Sequence, residues 1–257
     1  MKLYWKFFSI HLKSEMAYPG SFFLSCMGRL LLTVSSLLGI GVMMWRFGSI
    51  GDYSAGEVLL GFGVVMTAFN LAECFARGFD AFGRIVRQGT FDRLMVRPRG
   101  LIFQVICQDM RMASLPNIVL GVVVTFYGAR TGGFLWSLPK AMVLFSMIVC
   151  GSLLFFGMFL VYASLCFFTM EGLEIMNIFT DGIRTYSKYP FDIYGKGVLF
   201  FTTAIMPMAM VQYWTLRYLM GKGSPYYGLF PILSLWFLIP CLLVWRLGIK
   251  HYSSAGS

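Results

Sequence analysis

Arg84-Ile-Val-Arg-Gln-Gly-Thr-Phe-Asp-Arg-Leu-Met-Val-Arg-Pro-Arg-Gly100 is a strongly polar stretch held between two long apolar ones, and its reading decides the fold. Five arginines stand here against one acid, Asp92. Among them is a short amphipathic cassette, Phe91 to Val96. Thr90 is expected to cap its first turn, because a threonine hydroxyl accepts a backbone N–H that a helix start leaves unpaired. Pro98 stops it, since a proline pushes the residue before it, Arg97, out of helical conformation. The result is a helix of about two turns carrying exposed charge. Such an element suits docking of a soluble partner. Arginines beside a membrane span also serve simply to fix topology, and both readings stand at this point.

Working outward, the rest of the chain is apolar. Hydrophobic residues make up 58% and charged residues 12%, against about a quarter charged in soluble domains. A soluble globule is excluded, and an all-α polytopic membrane protein is expected as a single unit over 1–257. The net charge of +10 follows from basic residues flanking spans, so nucleic acid is set aside. Cys26, Cys74, Cys107, Cys150, Cys166 and Cys241 fall in or beside apolar segments without metal-ligand spacing and read as small core residues.

A spanning helix needs roughly 20 apolar residues, and six stretches qualify, near 21–45, 55–76, 104–128, 138–168, 197–220 and 229–247. Ahead of them, Lys2, Lys6, Ser9 and Lys13 recur at helical spacing, with Leu3, Phe7, Phe8 and Ile10 on the other side. Residues 1–18 therefore suit an interfacial amphipathic helix. A signal peptide does not fit, because the following apolar run is too long and lacks a cleavage site. Lys and Arg number three in 1–18, six in 77–103, three in 171–196 and two in 246–257, against five (Arg46, Arg130, Lys140, Arg217, Lys222) in the other connections. This asymmetry puts both termini and the Arg84–Gly100 stretch in the cytoplasm.

Charges at or within the spans are costly unless paired, snorkelling or facing a protein-lined cavity. They are Arg29, Glu57, Glu73, Asp109 and Arg111. A relay places its carboxylates near the midplane, which here only Arg29 and the Asp109/Arg111 pair approach, and this favours anchors or interhelical ion pairs over a proton relay. Glu171, Glu174, Asn177, Asp181, Arg184 and Lys188 recur at intervals of three or four, so 171–196 reads as an amphipathic helix at the inner surface. Pro207 and Pro240 are expected to kink the last two spans, and Gly221 to Gly228 forms an outward turn. His11 and His251 assemble no catalytic constellation, no Gly-x-x-x-x-Gly-Lys loop exists, and no internal repeat is evident. The chain is not expected to be an enzyme, nor to hold a metal or cofactor of its own.

Gly89-Thr-Phe-Asp-Arg-Leu-Met-Val-Arg-Pro98 resembles the "glycine, two residues, Asp, x, Leu, x, x, Arg-Pro" signature between the second and third spans of one branch of ABC-2 type exporter permeases. Ser187-Lys-Tyr-Pro-Phe-Asp-Ile-Tyr194 and Ile205-Met-Pro207 are similar to two further signatures of that branch. Tyr213-Trp-Thr215 departs from the family's aromatic-proline pair. The resemblance implies a six-helix permease of a bacterial plasma membrane that pairs with a second, identical or different, permease and rests on an ATP-binding-cassette ATPase dimer. ATP and Mg are then bound by that partner. Thr90, Phe91, Asp92, Arg93, Leu94, Met95, Arg97, Pro98 and Arg99 become the coupling helix and its flank. Phe91 and Leu94 are the implied apolar anchors in the ATPase, and Arg93, Arg97 and Arg99 the implied polar contacts. The implied cargo is an amphiphile, lipid, peptide or antibiotic. The alternatives are a non-transporting scaffold or sensor docking through the same loop, and a secondary carrier.

Overall fold

The computed structural model describes residues 2–79, 81–169 and 173–252, the last block with side chains from Phe179 onward. Among these residues the regular elements are all helical. Along the chain they are α1 (Lys2–Met16), α2 (Pro19–Phe47), α3 (Ala55–Ala76), α4 (Phe82–Arg87), α5 (Thr90–Met95), α6 (Leu101–Gln108), α7 (Leu115–Thr131) and α8 (Leu138–Leu165). They continue with α9 (Leu173–Tyr186), α10 (Lys196–Ala204), α11 (Thr215–Leu219), α12 (Phe230–Leu233) and α13 (Leu238–His251). Five segments are long and apolar enough to cross a membrane, beginning at Pro19, Ala55, Met112, Leu138 and Pro225. The chain is an all-α polytopic membrane protein.

The centre is α3, apolar on every side and buried along most of its length, as a helix surrounded by others must be. Its start is fixed by a capping box. The Ser54 hydroxyl accepts from the Glu57 amide, and the Glu57 carboxylate accepts from the Ser54 amide at 2.7 Å. Glycines then let α7 run against it antiparallel at backbone distance. Gly56 abuts Gly132, Leu60 abuts Gly128, Gly63 abuts Thr125 and Thr67 abuts Gly121, and a methyl at Gly63 would stand 2.6 Å from the Thr125 amide nitrogen. Small residues are what allow two membrane helices to approach so closely. On another side α8 closes over α3 through Gly151 and Ala68 and the Phe69–Phe155 ring pair. Across its own surface α8 carries α13, with Gly157 against Leu238 and Cys241 and Ser164 against Gly248. All six cysteines are buried thiols.

These contacts give the bundle two ends. One carries α1, α4, α5, α6 and the last turn of α13, just after which Tyr252 meets Phe91 edge to face. α1 lies across this end. The Tyr4 hydroxyl donates to the Phe75 carbonyl, His11 meets the Cys107 carbonyl, and Glu15 accepts from the Met112 amide. The far end carries the α2–α3 turn, the α7–α8 turn and Lys222.

Three expectations change here. The apolar stretch 104–128 is not one helix. α6 stops at Gln108, Asp109 and Arg111 are extended, and a single 3₁₀ turn, Met112–Ser114, leads into α7, which runs on to Thr131. The break frees Arg111 to turn its guanidinium to a buried carboxylate, which a continuous helix would have carried away. The stretch 197–220 is not a span either. It enters as α10, breaks at Ile205–Pro207, where the proline removes a helical donor, and leaves through a π-helical turn, Met210–Trp214, into α11. Both of its ends sit at the far end of the bundle. Asp192 accepts from the Tyr53 hydroxyl at 3.1 Å, the Leu219 carbonyl accepts from Lys140, and Lys222 reaches Glu57 at 3.5 Å. It is a re-entrant hairpin whose arms are tied by Trp214 donating to Thr203, and its tip residues Met208, Ala209 and Val211 are fully buried.

The third change concerns α9 and the residues that follow it, which do not lie along the α5 end of the bundle. Arg184 lies over Phe69 of α3, Lys188 donates to Ser36 halfway along α2, Tyr189 reaches Met43, and Asp192 meets Tyr53. The polar strand of sequence thus climbs through the bundle from the α5 end to the far end, and the re-entrant hairpin follows from its arrival there. Glu171 of the polar series lies outside the described residues, as do the side chains of Glu174 and Asn177.

Candidate functional site

The α5 end is built from the Arg84–Gly100 stretch. Gly89 precedes the helix with φ +63°, a left-handed conformation natural only to glycine, which turns α5 sharply off α4. Thr90 makes no cap. It is the first helical residue, and Gly89 occupies the capping position without a side chain. Pro98 stands beyond a helix that ends at Met95.

The placing of Phe91 and Leu94 reverses their expected role as anchors in a partner. They are 0% and 1% exposed and face the chain's own interior. Phe91 packs edge-on against Phe82, Phe167 and Tyr252, with ring centroids 4.9–5.3 Å apart, and Trp245 of α13 closes the same aromatic cluster through Phe82 and Phe167. The Leu94 carbonyl accepts from Gln104. The reason is the helix period. Positions 91 and 94 share one face, and that face has an apolar bundle beneath it. What α5 presents outward is Arg93, Met95, Val96, Arg97, Pro98 and Arg99, with Val96 83% exposed. Between this rim and α1 runs a groove of 430 Å³, lined by Arg93, Arg97 and Arg99 on one side and Leu3 and Phe7 on the other.

The charges of the spans form a second arrangement above it. Glu73, 3% exposed in the last turns of α3, accepts from Arg29 at 2.6 Å, Arg111 at 2.8 Å, Arg77 at 3.0 Å and the Ser114 hydroxyl at 2.9 Å. The cluster ties α2, α3 and the α6–α7 break together. Arg29 is therefore paired rather than snorkelling. Asp109 and Arg111 part company, Asp109 lying on exposed Arg84 at 3.8 Å and Arg111 on Glu73 at 2.8 Å. Glu57 belongs to neither group and serves the α3 cap and Lys222 at the far end. There, burial first and the neighbouring Asp192 carboxylate second push the Tyr53 phenol well above its usual range. It stays a donor throughout the neutral range, and the clasp is lost only as pH rises through that raised value.

Sequence reasoning expected interhelical ion pairs among the span charges but not their convergence on Glu73, and it missed the glycine-lined α3–α7 seam and the re-entrant hairpin. The seam had a signal in Gly56 and Gly63, and in Gly121 and Gly128, each pair one heptad apart. The Ser54-x-x-Glu57 capping box was equally readable. The hub was legible in part, since Arg29, Glu73 and Arg111 stood out as span charges suited to interhelical pairs and Glu73 and Arg77 are four residues apart, but nothing local joined residue 29 to 73 and 111.

Comparison with protein families matches residues 30–256 to the model described as ABC-2 family transporter protein. No curated protein and no solved structure matches the chain.

Proposed function

From the premise that this chain belongs to the ABC-2 transporter family, and is therefore a transport permease that works with an ATPase component, we propose that it is the membrane subunit of an exporter. The energy source is an ATP-binding-cassette ATPase dimer that binds ATP and Mg. The α5 end faces the cytoplasm of a bacterial cell with both termini, and a second permease completes the pathway. The observation that carries this reading is the two-faced construction of α5. Its outer face offers Arg93, Met95, Val96, Arg97 and Arg99 beside an open groove. Its inner face is wedged into an aromatic cluster shared with α4, the end of α8 and α13. A helix used only to fix topology needs charge but no such wedge.

The geometry also supports a division of labour. The exposed arginines meet acidic and carbonyl groups of the ATPase, for which the guanidinium fork is suited. Met95 and Val96 supply the apolar contact that Phe91 and Leu94 do not. Displacement of α5 would then pass through Phe91 and Phe82 to Trp245 and so to α13 and α8, because a close-packed aromatic cluster transmits strain. Affinity purification of the tagged chain from gently solubilised membranes tests the reading. The wild type is expected to bring down a soluble ATPase, and the double variant Val96→Asp, Arg97→Glu to lose it while remaining folded. Recovery of the chain without an ATPase, or equal recovery with both forms, would sink the proposal in favour of a scaffold.

A further inference from the structure

A cavity of 310 Å³ opens beside the Glu73 cluster, between α2, α3, α7 and α9. Among the described residues, four guanidiniums (Arg29, Arg77, Arg111 and Arg184) and two carboxylates (Glu73 and Asp181) line it. Asn117 of α7, 4% exposed, stands in its wall with its Oδ1 accepting from nothing among the described residues. A buried amide oxygen left unpaired is costly, which marks a place where a donor is expected. Arg184 reaches in from α9, its guanidinium carbon 4.6 Å from the centre of the Phe69 ring and its charge on the exposed carboxylate of Asp181 at 3.3 Å. Four residues on, Lys188 extends the same cationic track into an adjoining cleft along α2, where its ammonium rests on the Ser36 hydroxyl. Leu32 of α2, 69% exposed, lines both spaces, so their mouth lies on the lateral, apolar surface of the bundle.

An ion-pair hub that only held helices together would leave neither an open volume nor an orphaned acceptor. We infer that this cavity recognises the headgroup of an anionic amphiphile, in which a phosphate or carboxylate meets Arg184 and Arg29 and a hydroxyl or amine donates to Asn117. The acyl part stays in the bilayer beside Leu32. Charge-assisted, forked hydrogen bonds from arginine are the strong way to hold such a group in a low-dielectric setting. This deepens the permease reading and rests on it, since it names the class of cargo.

The test is native mass spectrometry of the purified full-length chain titrated with dioleoylphosphatidylglycerol, whose phosphate leaves a net negative charge beside hydroxyl donors, and with dioleoylphosphatidylcholine, whose phosphate is balanced by a fixed cation that offers no donor. The glycerol lipid should bind saturably with one molecule per chain. Arg184→Ala should weaken it about tenfold, as expected for one lost charge-assisted bond, with Arg184→Lys restoring part of the loss. Arg130→Ala, which removes an exposed arginine from the far end, should leave it unchanged. Melting temperatures of all variants are read in parallel. Equal binding of the two lipids, or equal losses in Arg184→Ala and Arg130→Ala, would overturn the inference. So would displacement of the lipid by inorganic phosphate at its own binding concentration, which would assign the site to a free anion. The ATPase pull-down fails or succeeds independently, so a chain that brings down its ATPase yet shows no lipid selectivity loses only the cargo class.

Discussion

Two charge-rich stretches interrupt the apolar sequence, Arg84–Gly100 and the segment from α9 to Tyr194, and in composition they look alike. Both alternate apolar and charged residues at helical spacing, and both carry a proline a few residues beyond the end of a helix. In the folded chain the first caps one end of the bundle and the second passes through it. The difference lies in what surrounds each polar face. The arginines of α5 face away from the bundle, whereas Arg184 and Lys188 meet Phe69, Ser36 and the polar wall around Glu73. Polar residues at membrane depth are tolerated where protein lines a cavity for them. An amphipathic helix therefore reports that it has two environments but not how deep it lies.

Substitutions in the two regions should separate accordingly. The largest effect is expected at the hub. Glu73→Leu leaves Arg29 and Arg111 facing each other across an apolar side chain, and breaking a buried ion pair in this way costs about 3–5 kcal/mol. Thermal unfolding in detergent should show it, with loss of most folded material. Phe91→Leu, on the inward face of α5, trims the aromatic cluster and should cost about 1 kcal/mol while the ATPase still co-purifies. A partner anchored by Phe91 would instead be lost with little change in stability. Tyr53→Phe removes the donor that clasps Asp192 at the end of the polar passage. Because Asp192 is exposed, the loss should be at or below about 1 kcal/mol, read as a lowered melting temperature. Smallest in stability, within about 0.5 kcal/mol, is Arg97→Glu on the outer face of α5, which should nonetheless weaken ATPase recovery the most.

Much of the architecture was readable before any coordinates. The apolar runs at α2, α3, α8 and the segment ending in α13 needed only length and hydropathy, and the polar composition of α5 pointed to an exposed element at a bundle end. What composition could not supply was pairing at long range. The run 197–220 is apolar enough to be taken for a span, yet Asp192 and Lys222 bind at the same end, to Tyr53 and Glu57, and a hairpin is the only course between them. The charge of α9 points to the inner surface, since nothing local announces that Arg184 finds Phe69 more than a hundred residues earlier. At α5 the period of the helix was correct and the direction of its faces was not. Periodicity groups Phe91 with Leu94, but only the presence of Phe82, Phe167 and Tyr252 beneath them decides that this group points inward.

Sidedness of labelling tests the central contrast most directly. Single cysteines placed at Val96 and at Ile193, both exposed against six buried native thiols, are treated in intact cells with a membrane-impermeant maleimide, before and after permeabilisation. Passage of α9 through the bundle predicts that Ile193→Cys labels in intact cells and Val96→Cys only once the membrane is opened. Labelling of both positions only after permeabilisation would return α9 to the inner surface and contradict the account.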